Sequence, residues 1–253
     1  METPVPAPVV QPQASPPYVA PWWHTALLVL FLLVFSALGS GGHPGLDHTL
    51  RMKLYISTIV MEWLMVLYIV WGLHLTQRTT LGGLIGGRWK NPEDFLLDVA
   101  IAVGFWIVAA LVLVAIGLAL GLASTAHLKD VQHRIGSILP ETRNEILAWI
   151  LLSSTAGFCE EIIYRGYLQN QCGALLKSAI GGIALQALLF GASHGYEGWQ
   201  GMVQITAFGA LFGVLAHWRK SLRPGMIAHL SHDTLQGLTA RWIINHAAKA
   251  LPK

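Results

Sequence analysis

The chain has 253 residues, 54% hydrophobic and only 11% charged, with a mean hydropathy of +0.54. Soluble domains carry about a quarter charged residues, so this composition excludes an ordinary water-soluble fold. The net charge of +3, from 16 Lys plus Arg against 13 Asp plus Glu, suits loops near anionic headgroups rather than a nucleic-acid footprint.

In chain order, residues 1–21 hold seven prolines and no Lys or Arg, which reads as an extended, disordered tail. Residues 22–143 read as the N-terminal membrane helices. The first span, Trp22 to Leu38, opens on an interfacial Trp pair and is broken by the GSGGHPG run that follows. The second, about Leu54 to Leu75, carries one acid, Glu62, which reads as a pore-facing or interhelical hydrogen-bonding group. A polar loop over 76–95 precedes a third span from Phe95 to about Leu122. Residues 127–139 mix charges with Leu, Val and Ile and suit a segment lying along the interface.

The next segment, 144–246, contains four spans, about Asn144–Gln169, Ser178–His194, Trp199–Trp218 and Leu222–His246, before a short tail at 247–253. The expectation is an all-α polytopic bundle of about seven spans, with an eighth allowed. A polar intramembrane cavity is expected among the last four. Basic residues divide evenly between the two sets of loops, so orientation stays open. The compact RKSLR turn favours placing that loop, and with it the N-terminus, in the cytoplasm. The expected location is a bacterial inner membrane or a eukaryotic endomembrane.

The most informative stretch is CEEIIYRG. Glu160, Glu161 and Arg165 lie within six residues of an apolar helix, where each ionised group costs about 2.5–3.5 kcal/mol at the bilayer centre. On an α-helical wheel Glu161 and Arg165 are about 40° apart and in the favourable acid-first order. Glu160 and Arg165 are about 140° apart. Arg165 should therefore engage Glu161 and leave Glu160 as a candidate general base. Read blandly, the trio is an interhelical salt bridge. Phe190 and His194, four apart, share a face near the end of the next helix. In the last segment His229, Asp233 and Gln236 form one stripe with His232 beside it. That helix, with Ser231, Thr234 and Arg241 as well, is too polar to face lipid. Cys159 and Cys172, about 20 Å apart along one helix, cannot pair, and Cys159 reads as a small buried apolar residue. No HExxH pattern is present, and no serine reads as a nucleophile elbow.

The order EExxxR, FxxxH, HxxxD on successive apolar helices resembles the CPBP family of intramembrane glutamic endopeptidases. That family includes CAAX prenyl proteases and bacterial bacteriocin-processing or self-immunity (Abi-like) proteins. The resemblance covers about 144–246. It implies that Glu160 and His194 activate a water for attack on a peptide bond. His229 and Asp233 would line the oxyanion side, and Glu161, Arg165 and Phe190 would support the site. No metal or other cofactor is implied. The implied partners are membrane lipid and a peptide or protein substrate, prenylated CAAX-type or otherwise membrane-associated; the sequence leaves the oligomeric state open. One departure stands out, because Asp233 occupies a position that is often Asn in prenyl-processing members. An ionised Asp only accepts hydrogen bonds, so it is expected to orient His229, which then donates to the oxyanion. The alternative function is a non-catalytic scaffold or bacteriocin-immunity protein that binds a peptide in the same cavity. A proton-coupled transporter ranks below it, without paired broken helices, and a zinc enzyme is a further variant.

Overall fold

The computed structural model describes residues 18–39, 45–122 and 136–250. Residues 1–17 of the expected tail, residues 40–44 of the glycine-rich break, the 127–135 part of the expected interfacial segment and residues 251–253 lie outside them. The described residues are helical throughout, with no strand. In chain order they form α1 (Trp22–Gly39), α2 (His48–Thr76), the short α3 (Leu81–Ile85) and α4 (Pro92–Ala119). After a 3-10 turn at Gly136–Ile138 come α5 (Arg143–Glu160), a π-helical segment (Glu161–Leu168) and α6 (Gln169–Leu176), which run on as one rod. Then follow α7 (Ala179–Ala192), a 3-10 turn (Gly195–Glu197), α8 (Gly198–Arg219) and α9 (Arg223–Ala250).

Four of these stretches, His48–Thr76, Pro92–Ala119, Arg143–Leu176 and Gly195–Arg219, are long and apolar enough to cross a membrane by length and composition. Trp22–Leu38 and Ala179–Ala192 are apolar but shorter. With the polar α9 they account for the seven expected segments. The bundle buries its ionisable groups among apolar ones and turns large apolar side chains outward, the pattern lipid demands. Leu96, Val103, Leu111 and Leu118 of α4 face outward while Asp98 on the same helix is buried.

Local chemistry explains the ends. Asp47, Asn91, Thr142 and Ser178 each cap a helix by accepting a backbone N–H three residues on. Thr142 and Glu145 make a reciprocal capping box. Pro92 occupies the first turn of α4, where its missing N–H costs nothing.

Three boundaries differ from expectation. The tail does not extend to residue 21, because Val19 and Ala20 are buried and their backbone N–H groups donate to Gln171 Oε1 at 2.7 and 3.4 Å. The loop over 76–95 contains α3, started by Thr80 and ended at Gly86, whose φ of 91° suits glycine. The last helix continues to Ala250 instead of ending near 246.

Packing brings α9 against α5 and α4, α7 against α6 and α8, and α2 against α5. The α5–α9 approach depends on Gly157, where a Cβ would sit 2.6 Å from the Leu230 backbone nitrogen. Small residues at such crossings let backbones meet, the usual device where lipid removes the hydrophobic drive between helices.

Candidate active site

The site begins where the long rod changes its winding. From Glu161 to Leu168 the helix is π-helical, a rare form that is frequent at functional sites. All eight residues are buried, Glu161 and Arg165 among them. Arg165 Nη1 lies 3.0 Å from Glu161 Oε1, so the expected pair forms. The contact is an ion pair without hydrogen-bond alignment, since the guanidinium nitrogens have no hydrogen-bonding partner among the described residues. Aromatic faces complete its surroundings: the guanidinium carbon is 4.2 Å from the Phe190 ring centroid and 4.9 Å from that of Phe212.

His229 of α9 is the hub. Its Nδ1 hydrogen-bonds Glu161 Oε1 at 3.0 Å. Its Nε2 stands 3.6 Å from both Glu160 Oε2 and Asp233 Oδ2. That distance is ionic contact, beyond hydrogen-bond range. A carboxylate only accepts, so Nδ1 carries the proton toward Glu161. Glu161, and not Asp233, therefore makes the hydrogen bond that sets the ring's orientation, which corrects the sequence expectation. Asp233 instead shares the outer face of His229 with Glu160. Exposure separates the acids: the Glu161 side chain is 1% exposed, against 18% for Glu160 and 28% for Asp233. Water can reach the last two. Gly225 makes room for Glu161, since a Cβ there would lie 3.0 Å from Glu161 Oε2.

His194 reaches the site because α7 is short. Fourteen residues give a helix of about 21 Å, less than the roughly 30 Å hydrocarbon core, so its C-terminal end stops inside the bundle depth. His194 Nδ1 is 2.8 Å from the Phe190 carbonyl oxygen. A carbonyl accepts, so Nδ1 carries the proton and Nε2 of the neutral ring keeps its lone pair. Phe190 is the wall between the two histidines, with ring centroids 4.8 Å from His194 and 6.2 Å from His229. Among the described residues no hydrogen bond or ion pair joins His194 directly to Glu160.

Sequence reasoning missed two contributors, Tyr164 and Ser193, and left a third, Glu62, outside the site. Tyr164, inside the CEEIIYRG stretch, donates from its hydroxyl to Ser193 Oγ at 2.7 Å, and Ser193 donates on to the Phe190 carbonyl at 2.8 Å. This relay ties the π segment to the end of α7. Glu62 of α2 is the third: it is buried, and it lies in electrostatic reach of Glu160 and Asp233. An acid in an apolar helix was the available signal. Cys159 and Cys172 are free and buried, as expected. Among the described residues no three His, Cys, Asp or Glu side chains are grouped so as to hold a metal ion.

Residues 142–235 match the family model for the type II CAAX prenyl endopeptidase Rce1-like proteins. This segment is similar to that family. The Rce1-like segment runs from the Thr142 cap of α5 to just past Asp233, so it contains every site residue named from the sequence. The family is one of membrane proteases. Glu62 and the rest of α1–α4 lie outside the match. No curated protein and no solved structure matches the chain.

Proposed function

We propose that this protein is a multi-pass intramembrane endopeptidase that hydrolyses a peptide bond with a water activated by Glu160 and His194, without a metal. The observation that carries this reading is the placement of His229, inside the Rce1-like segment. Its Nδ1 is held by buried Glu161 and its Nε2 faces the two water-accessible carboxylates of Glu160 and Asp233. A salt-bridge cluster with a purely structural role has no need to keep two acids open to water.

The steps follow from those atoms. Glu160 takes a proton from water, and His194 Nε2 orients the same water by accepting its second hydrogen. The hydroxide attacks the peptide carbonyl carbon. The oxygen of the tetrahedral intermediate faces His229 Nε2, which, when protonated, donates to it. The proton held by Glu160 passes to the leaving amine as the C–N bond breaks. Substrates are membrane-associated peptides, prenylated CAAX-type peptides first among them. The membrane is a bacterial inner membrane or a eukaryotic endomembrane.

The test is cleavage of a panel of prenylated and unprenylated membrane peptides by the purified protein in liposomes. Glu160→Gln and His194→Ala should each lower cleavage by about 100-fold or more, at unchanged folded yield and with no effect of chelators on the wild type. Cleavage retained by either variant would sink the proposal. Cleavage abolished by chelators would replace it with a metal mechanism.

A further inference from the structure

Glu62 is the one acid in the middle of α2, and it comes to the site from outside the Rce1-like segment. The register of α2 against α5 is set by Arg51, whose Nη1 meets Glu145 Oε1 at 2.8 Å. Counting along each helix from that contact puts Glu62 at about 16 Å depth and Glu160 at about 22 Å. Arg241, which meets Glu141 at the same end at 3.2 Å, puts Asp233 at about 12 Å by the same count. Glu62 thus lies at a depth between Asp233 and Glu160. Trp63 packs on Phe158 in a tilted pair with ring centroids 5.5 Å apart, which holds this part of α2 against α5. The Glu62 side chain is buried, and its Oε2 has no hydrogen-bond partner among the described residues.

The charges around it do not balance. Five acids, Glu62, Glu160, Glu161, Asp233 and Glu197, meet one arginine, Arg165, and two histidines, His229 and His194, of which His194 faces Glu197 and Asp233. Glu161 is answered by Arg165 at 3.0 Å, and Glu160 and Asp233 share His229 Nε2. The ionisable groups whose fields meet Glu62 are Cys159, Glu160 and Tyr164 from the rod and Asp233 from α9. None of these is a cation. A buried carboxylate without a donor or a counter-charge costs several kcal/mol, and the neutral acid avoids most of that.

We propose that Glu62 is a positioning residue for the catalytic centre: it keeps the proton that this group of buried acids must retain, and so leaves Glu160 anionic to act as base. It acts through Glu160 and does not touch the substrate. The neutral carboxyl donates a hydrogen bond toward Glu160 through an intervening water and steadies its charge. This rests on the peptidase reading for its functional half, but the location of the proton does not.

Two measurements separate the halves. In infrared spectra of the full chain in lipid, the carbonyl band of a protonated carboxylic acid should be present in the wild type and lost in Glu62→Gln. Persistence of the whole band in Glu62→Gln overturns the proposal, whether or not the protein cleaves anything. In the cleavage assay, Glu62→Leu should move the acid limb of the kcat/KM profile up by about one pH unit, the worth of one hydrogen bond to a charge. KM should stay within about two-fold. Glu62→Gln, which keeps a neutral donor, should return the limb to within a few tenths of a unit of wild type. An unmoved limb in Glu62→Leu, or a limb displaced equally in Glu62→Gln, overturns the positioning role. Should Glu62→Leu fail to fold, the Glu62→Gln spectrum and profile still decide. A wild type that cleaves nothing but loses the band in Glu62→Gln would remove the peptidase reading and leave the proton assignment standing.

Discussion

Arg165 and Glu161 form an ion pair with side chains 0% and 1% exposed, and burial at that level makes the two partners unequal to replace. Removing Arg165 leaves a carboxylate without its cation, which costs about 3–5 kcal/mol. Arg165→Leu should therefore lower the thermal unfolding midpoint in detergent and the folded yield. Arg165→Lys should rescue only part of the loss, because a compact ammonium does not reproduce the guanidinium's contacts with both Phe190 and Phe212. Full rescue by Lys would show that charge alone matters. Asp233 leads to the opposite expectation. Glu161 already holds His229 Nδ1 at 3.0 Å, so ring orientation does not depend on the Asp233 charge. An amide at 233 can also donate to an oxyanion. Asp233→Asn should keep cleavage within about ten-fold of wild type, and a loss approaching that of Glu160→Gln would mean the carboxylate itself is required.

At the scale of elements, the site is a junction of the π segment with α7 and α9, and Gly157 sets how closely α5 and α9 meet. A Cβ there would be 2.6 Å from one backbone nitrogen and 2.9 Å from a Cα of Leu230, so a helix has to move. The contact lies one turn before Glu160 and next to His229 in sequence. Gly157→Ala should then lower both stability and kcat, measured together as the unfolding midpoint and single-turnover cleavage. A variant with wild-type values of both would show that the crossing has slack. The helices were legible in the sequence because apolar runs and capping residues are local signals: the starts of α4, α5 and α7 fall within about three residues of expectation. The Glu161–Arg165 pair was legible for the same reason. The π winding was not, since a wheel at about 100° per residue assumes α geometry. The partner of His229 was not legible either. Glu161 reaches it across 68 positions of sequence, and the wheel ranks neighbours within one helix only. Glu62 shows the same limit, with its neighbour Glu160 on another helix.

For the whole molecule, two ionic clamps bracket the site. At one end Arg51 meets Glu145 at 2.8 Å and Glu141 at 3.4 Å, and Arg241 meets Glu141 at 3.2 Å. At the other, Asp98 of α4 receives Arg219 at 2.9 Å, Arg223 at 3.0 Å and the Trp89 indole N–H at 2.9 Å. Arg223 and Arg241 lie on one helix and are separated by about 27 Å, close to the roughly 30 Å hydrocarbon core. The clamps are therefore about one hydrocarbon thickness apart, and Asp233 falls between them, about 15 Å from one and 12 Å from the other. Chemistry between the clamps needs helices whose relative heights do not drift, and the clamps hold different elements against α9: α2 and the start of α5 at one end, α4 and the end of α8 at the other. Asp98→Asn should strip the counter-charge from two largely buried guanidinium groups and destabilise the fold by about 3–5 kcal/mol. Cleavage at low temperature should persist, since Asp98 touches no site residue. Because the clamps are far apart and share no partner, the losses from Asp98→Asn and Arg51→Leu should add to within about 0.5 kcal/mol. Reversible unfolding of the two single variants and the double variant in the same detergent gives this sum directly. A coupling much larger than that would mean that loosening one face already frees the other, and that the bundle holds its register as one unit and not by two independent clamps.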